Sequence, residues 1–415
     1  MTETTHHQIL IIGGGAAGIS VAARLLRIQG NRSLDIAIVE PSSQHYYQPA
    51  FTLVGAGIFD LKKTRRDMER VIPPGAKWIQ DAATSFDPEN NLIYLQSGKS
   101  LTYDYLVICP GVELNWSLID GAQEALGRNG ICSNYDPSHV EYTWETLKAL
   151  KPKSKAFFTQ APLPFKCPGA PQKIAYLAAD HLSTQGILST CDLNFFNHGP
   201  GMFAVPYFAK ELVKVAENWG IKTHFHHNLI AVDGATKTAK FQIVSGDKKG
   251  ETLELGFDML HMTPPQSPPS FVKDSVLAND AGYVDIHQNS LQHTRYKNVF
   301  ALGDAGSTPN SKTAAAVRLQ APIVARNILS LINNESSLEE SYDGYASCPL
   351  TTSYRKVIMA EFCYGGKITP TLPLAPSKER RINMYIKKIG LPHLYWNYML
   401  KGYEMFPSHN TKFEE

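Results

Sequence analysis

The chain has 415 residues, 43% of them hydrophobic and 19% charged, with a formal net charge of +2. That length exceeds one ordinary hydrophobic core, so two or three packed units are expected, and the near-neutral balance gives no electrostatic footprint for nucleic acid. No stretch reaches the roughly 18 uncharged apolar residues of a spanning helix, and the six scattered cysteines form neither a disulfide framework nor a CxxC metal spacing.

Met1 to Gln8 is short and polar and leads into a strand. It lacks the apolar core of a signal peptide and the Arg-rich character of a transit segment. His6 and His7 read as a tag fragment or solvated end. The apolar run Ile9 to Ile12 then meets Gly13-Gly14-Gly15-Ala16-Ala17-Gly18, a helical stretch Ile19 to Gln29, and a second strand, Leu34 to Val39, ending on Glu40. Strand, glycine turn, helix, strand and acid in register form a dinucleotide-binding βαβ unit. Gly13 permits the tight turn, Gly15 lets the backbone approach a pyrophosphate, and Gly18 allows helix and strand to pack closely. The phosphates are expected on the helix N-terminus. Glu40, 22 residues beyond Gly18, is placed to accept from ribose hydroxyls.

Two later apolar strands end in turns, Tyr105 to Gly111 and Val299 to Gly303-Asp304. They resemble the segments that return to the cofactor domain in glutathione-reductase-like flavoproteins, which makes the expected cofactor FAD. A helix beginning near Ser311 would aim its N-terminus and Lys312 at the flavin N1–C2=O edge, where charge accumulates on reduction.

Such enzymes carry a second βαβ unit for a nicotinamide nucleotide. Its first strand here is Lys155 to Thr159, but the following loop, Ala161 to Lys173, holds four prolines and the bulky Phe165, which cannot wrap a pyrophosphate as a glycine turn does. A helix, Ile174 to Ser183, comes next. The second strand, Leu193 to Phe196, ends on Asn197 rather than an acid. Gly199 to Ala204 mimics a nucleotide turn after the wrong strand. A nicotinamide donor is therefore excluded, and electrons enter from something small. Cys167 sits where a helix begins, beside Lys166 and six residues before Lys173, a setting that lowers a thiol pKa. Cys109 and Cys191 read as packing. His224, His226 and His227 alternate along a strand, Lys222 to Leu229, and read as surface histidines, so no metal site is expected.

The segment Phe165 to Ile174 resembles the first redox-cysteine motif of sulfide:quinone oxidoreductases, in the branch that includes the animal mitochondrial enzymes. Further matches are His45 to Pro49, Ser133 to Tyr135, Met262 to Pro265, Pro309 to Ala316 and Tyr345 to Leu350, so the likeness runs from about Ile9 to Tyr403. It implies that Cys167 and Cys348, the latter expected in a loop, form a redox pair beside the flavin, linked directly or through an extra sulfur. Hydrosulfide attacks the bridge and leaves a persulfide on Cys348. The freed Cys167 thiolate reduces the flavin, which quinone reoxidises. Gln48, Ala83, Asp304 and Lys312 match positions that line FAD in the family. The implied partners are hydrogen sulfide, ubiquinone or menaquinone, a small sulfur acceptor (glutathione, sulfite or a growing polysulfide), the membrane surface and a possible second copy of the chain.

The expected architecture is α/β, with two Rossmann-like dinucleotide-binding-type domains and a C-terminal amphipathic helical region. Residues 1–115 and 283–345 form a discontinuous FAD domain, 150–282 the second domain without a nucleotide site, and 346–415 the quinone and membrane region. Between Ser377 and Gly402, Lys378, Arg380, Arg381, Lys387, Lys388 and Lys401 alternate with Trp, Tyr and aliphatic residues, which describes an interfacial helix pair. The polar tail Ser408 to Lys412 departs from the mitochondrial relatives, and no transit segment is visible. The tail implies weaker membrane attachment, and the lack of a transit segment points to a peripheral protein of a bacterial inner membrane, or of the mitochondrial inner membrane if processed. Cys132 is a third candidate thiol. Other family branches carry a cysteine in that region, but the reading favoured is a small packing residue. Three rivals are distinguishable. A flavocytochrome-type sulfide dehydrogenase subunit predicts a secretion signal. A type-II NADH:quinone reductase needs the missing glycine turn. A non-enzymatic scaffold would not turn over sulfide.

Overall fold

The computed structural model describes residues 4–406. Its organising element is the strand Thr4–Ile12, whose apolar end Ile9 to Ile12 is buried between parallel neighbours, Ile36–Val39 on one side and Ser100–Ile108 on the other. The sheet is completed by Ala76–Ile79 at one edge, by the antiparallel Leu92–Leu95 and Ala83–Asp87 at the other, and by Val299–Ala301 returning to pair with Ser100–Ile108. Parallel strands buried on both faces read as continuous apolar runs, as Ile9 to Ile12 and Leu106 to Ile108 do. The first strand starts earlier than expected, with Thr4 opposite Ser100. His7 is consequently 3% exposed and hydrogen-bonded to Asp35 at 2.9 Å, not part of a solvated end.

A second, all-parallel sheet runs in the order Ile131–Cys132, Met259–His261, Lys155–Gln160, Asp192–Asn197, Lys222–Phe225. Each sheet has its own buried cluster, one centred on Ile9 to Ile12 and the other on Phe158, Tyr176 and Phe195. The expected long strand Lys222 to Leu229 is broken at His226, whose φ of +60° turns the chain into a separate antiparallel sheet starting at His227. His224 stacks on Phe196 with centroids 4.5 Å apart and is hydrogen-bonded to Asn194 at 2.8 Å, so it is a packing residue rather than a surface one.

The helix Ala314–Ile332 starts three residues later than the sequence suggested, capped by the Thr313 hydroxyl, which accepts from the Ala316 N–H. It is long and apolar enough to cross a membrane, yet it packs mainly inside the first core against the helix Ala16–Ile28. The C-terminal segment forms a helical run, Arg381–Tyr385, a π turn Ile386–Gly390 and Leu391–Asn397. It is one continuous run rather than a pair. Its far end is buried in the first core through Tyr395, Trp396, Met399 and Leu400, while Ile382, Tyr385 and Ile389 are 55%, 66% and 63% exposed. The tail Ser408 to Lys412 lies outside the described residues.

Candidate active site

The glycine turn is built for a tight backbone path. Gly13 adopts φ +107°, and a Cβ there would lie 2.5 Å from the Cys109 carbonyl oxygen; a Cβ on Gly18 would lie 1.9 Å from the Gly13 oxygen. Gly15 instead opens onto free space, with nothing within 4 Å of a Cβ. The helix behind it has no side-chain cap and no acid in its first turn, so its amides are free to meet a phosphate anion. Glu40 is locked beside the turn, accepting from the Gly14 N–H at 2.8 Å and the Ser42 N–H at 2.8 Å. Ala17 and Ala83 are buried, Gln48 opens a short exposed turn, and Gly111 takes φ +81° with free space beside it. These residues fit a dinucleotide such as FAD.

Close by, where a Cβ on Gly303 would meet Ala17 at 3.4 Å, Gly303 adopts φ +69° and donates to Gln320, which presents Asp304 at the turn. Burial pushes the Asp304 carboxyl up, opposed by Lys312 and Lys166. Lys312 is 6% exposed and donates to the Gly306 carbonyl at 3.0 Å; burial lowers its ammonium to about 8, with Asp304 opposing. Lys312 precedes its helix rather than lying in it, because Thr313 takes the capping position.

Cys167 and Cys348, 181 residues apart in sequence, are brought into hydrogen-bonding contact. Cys167 lies just before the helix Ala170–Thr184 and has φ +86°, a left-handed conformation unusual for a residue with a side chain. Its carbonyl accepts from the Ala170 N–H at 2.7 Å, and Gln266 holds the preceding Lys166 N–H at 3.0 Å. Cys348 is not in a loop. It sits mid-strand in Ala346–Thr351, 1% exposed, paired with Ala360 of Val357–Phe362. Pro349 is tolerated because this sheet has only two strands, leaving a side that needs no amide donor.

Three residues complete the pair: Lys173, which the sequence already placed near Cys167, Gly169, to which it gave no role, and Lys387, which it placed on the membrane face. Gly169 makes room for it: a Cβ there would lie 2.7 Å from the Cys348 sulfur and 2.3 Å from Leu350. Lys173, 4% exposed, donates from Nζ to the Cys167 sulfur at 3.3 Å. Lys387, counted above among the membrane-facing cations, points inward instead: it is 5% exposed and its Nζ donates to the Pro349 carbonyl at 2.7 Å and the Thr351 hydroxyl at 2.6 Å. The contact with Cys348 and the Lys173 charge hold the Cys167 thiol well below its ordinary value, against the effect of burial. The Cys348 thiol is driven well up, by the shared proton with Cys167 and by burial. The site thus pairs a thiol held low, Cys167, with one driven up, Cys348, beside the Lys173 side chain. Gly169→Ala is expected to lower sulfide-driven flavin bleaching by about tenfold or more while leaving flavin content intact, because a displacement on the order of 1 Å at a reacting centre has effects of that size. Unchanged bleaching would mean that the thiols need not meet.

The remaining cysteines lie elsewhere. Cys132 is fully buried in the second core and donates to the Leu260 carbonyl, and burial pushes its thiol up to about 12; these contacts support packing over a relay. Cys109 is buried against the Gly13 carbonyl, and Cys191 donates to the Lys151 carbonyl. The stretch Gly199 to Ala204 follows the second strand as a turn, held by Asn197, which accepts from the Gly199 N–H and donates to the Gly201 carbonyl. No glycine turn follows Lys155–Gln160.

Two dinucleotide-type sheets, one of them keeping its phosphate turn, make this a flavoprotein oxidoreductase of the two-Rossmann class. Residues 7–142 match the family described as pyridine nucleotide-disulphide oxidoreductase. The mitochondrial sulfide:quinone oxidoreductase of Dictyostelium discoideum is 45% identical, with 95% of this chain and 86% of that protein covered; the Mus musculus protein of the same description is 42% identical, with 97% and 88% covered. The solved sulfide:quinone oxidoreductase of Aquifex aeolicus shares the fold, with TM-score 0.79, 20% identity and 96% and 92% coverage. The chain belongs to the sulfide:quinone oxidoreductase family.

Proposed function

We propose that this chain binds FAD along the groove from Glu40 to Lys312, oxidises hydrogen sulfide at Cys167 and Cys348, and passes the electrons to a membrane quinone, ubiquinone or menaquinone. The observation that carries this reading is the thiol pair beside Lys173, at the position where a nicotinamide enzyme of this class needs a glycine turn. In the oxidised pair, hydrosulfide attacks the Cys348 sulfur and loses its proton. The Cys167–Cys348 bond breaks, a persulfide forms on Cys348, and Cys167 leaves as a thiolate stabilised by Lys173. A nucleophilic acceptor, glutathione or sulfite, then takes the outer sulfur and frees the Cys348 thiolate. The dithiolate re-forms its bond by giving up two electrons. FAD, when bound, supplies the two-electron carrier between this pair and quinone. Asp304, Lys312 and Gly15 hold the cofactor; Lys387 orients the strand that bears Cys348. Residues 1–115 with 283–345 act as the FAD unit, and 150–282 as the unit that carries Cys167.

The Dictyostelium discoideum and Mus musculus relatives are described as mitochondrial, and the Aquifex aeolicus structure comes from a bacterium. We place this chain on the surface of an inner membrane, mitochondrial or bacterial, through the exposed side chains of residues 382–389. Under anaerobic conditions sulfide is expected to bleach the flavin within the mixing time of a manual assay, while NADH and NADPH leave it oxidised. Rapid bleaching by either nucleotide would overturn the reading of residues 155–204.

A further inference from the structure

The segment 62–70 carries five basic residues and two acidic ones. It folds as a short turn and the edge strand Arg65–Asp67, paired with Gln44–Tyr46. This places Lys62, Arg65, Arg66 and Arg70 around one cleft of about 430 Å³, with Gln44 and Asp67 as its only other lining. Asp67 is already occupied, accepting from Gln44 at 3.1 Å and pairing with Arg70 at 3.5 Å. Among the described residues no carboxylate lies within ion-pair distance of Lys62, Arg65 or Arg66. Four cations thus converge on one open cleft with a single acid between them, which is a site for an anionic phosphate group.

Its location says which anion. The Arg66 guanidinium stacks over the Trp396 ring, 4.2 Å from the centroid. Trp396 belongs to the helical run that exposes Tyr385 and Ile389, and it lies roughly 10 Å along the axis from Ile389. The cleft therefore borders the segment that presents apolar side chains to solvent. A phospholipid has this pattern, with an anionic phosphate at the level of guanidinium groups and acyl chains beside exposed aromatic and aliphatic side chains. A free nucleotide would use the charge and leave the apolar stripe uncovered.

We propose that the Lys62–Arg65–Arg66–Arg70 cleft binds the phosphate headgroup of an anionic phospholipid, giving the protein a preference for anionic membranes separate from its apolar insertion. The proposal rests on the membrane reading of residues 382–389. The test compares the flavin-loaded full chain with two variants, Lys62→Ser/Arg65→Ser/Arg70→Ser and Tyr385→Ser/Ile389→Ser, by co-sedimentation with vesicles of phosphatidylcholine alone or with one fifth phosphatidylglycerol. Wild type is expected to bind the anionic vesicles roughly tenfold or more tightly than the neutral ones at low salt, with the advantage falling as salt rises. The triple serine variant should keep its flavin and its neutral-vesicle binding while losing that advantage. The Tyr385/Ile389 variant should lose neutral binding and keep a salt-sensitive attraction to anionic vesicles. An anionic advantage that survives in the triple variant overturns the proposal, and so does loss of flavin from it, which would assign the cleft to the cofactor. Wild type that binds neither vesicle refutes the membrane reading itself.

Discussion

Cys167→Ser and Cys348→Ser are each expected to abolish sulfide-dependent flavin reduction, a loss of at least about 10⁴-fold, of the order seen when a nucleophile is removed, with flavin still bound. Either substitution removes the bridge that sulfide must attack, whichever sulfur carries the persulfide. The flavin contacts proposed here come from Gly13 to Gly18, Glu40, Asp304 and Lys312, which neither cysteine touches, so bound flavin serves as the folding control. Rapid-mixing absorbance at the flavin band reads both quantities. Sulfide turnover at the wild-type rate in either variant would remove the thiol pair from the mechanism.

Lys173→Met carries the second large effect. Contact with Cys348 and the Lys173 charge hold the Cys167 thiol well below its ordinary value, against the effect of burial. Without the lysine, burial acts with less opposition and the thiol pKa rises. Because the thiol loses its proton only as pH rises through that value, sulfide-driven bleaching should fall about tenfold to a hundredfold at neutral pH and recover on the alkaline side. Lys173→Arg keeps the charge and should restore most of the activity at neutral pH. A pH profile for Lys173→Met that overlays the wild type would show that the cation does not set the thiolate.

The dinucleotide turn was legible because each glycine answers a local demand. Gly13 and Gly18 face backbone oxygens at distances no side chain tolerates, and Gly15 must leave room for an anion. Cys167 was legible for a similar reason, since a cysteine among prolines stands where a glycine turn is required. The partner strand was not. Cys348 precedes a proline, which locally signals a loop, and only the two-stranded pairing with Val357–Phe362 shows that Pro349 needs no donor there.

Lys387 was misassigned to the membrane face because an amphipathic stretch read as a regular helix gives no warning of a π turn. The five-residue turn Ile386–Gly390 changes which side chains point inward. Its buried amine therefore lies against the Cys348 strand, so deleting residues 377–415 would disturb the thiol site and the first core together. Point changes at Tyr385 and Ile389 separate membrane contact from chemistry in a way truncation does not. His7 was missed because pairing that extends a strand toward the terminus depends on Ser100 and Leu101, nearly a hundred residues away.

The most direct measurement is an anaerobic titration of the flavin-loaded chain with sulfide in the presence of sulfite, followed by a soluble quinone. One sulfide is expected to bleach one flavin, one quinone to restore it, and one sulfane sulfur to appear on the acceptor. Bleaching that needs no sulfide, or a flavin that sulfide reduces but quinone fails to reoxidise, would contradict the proposed function.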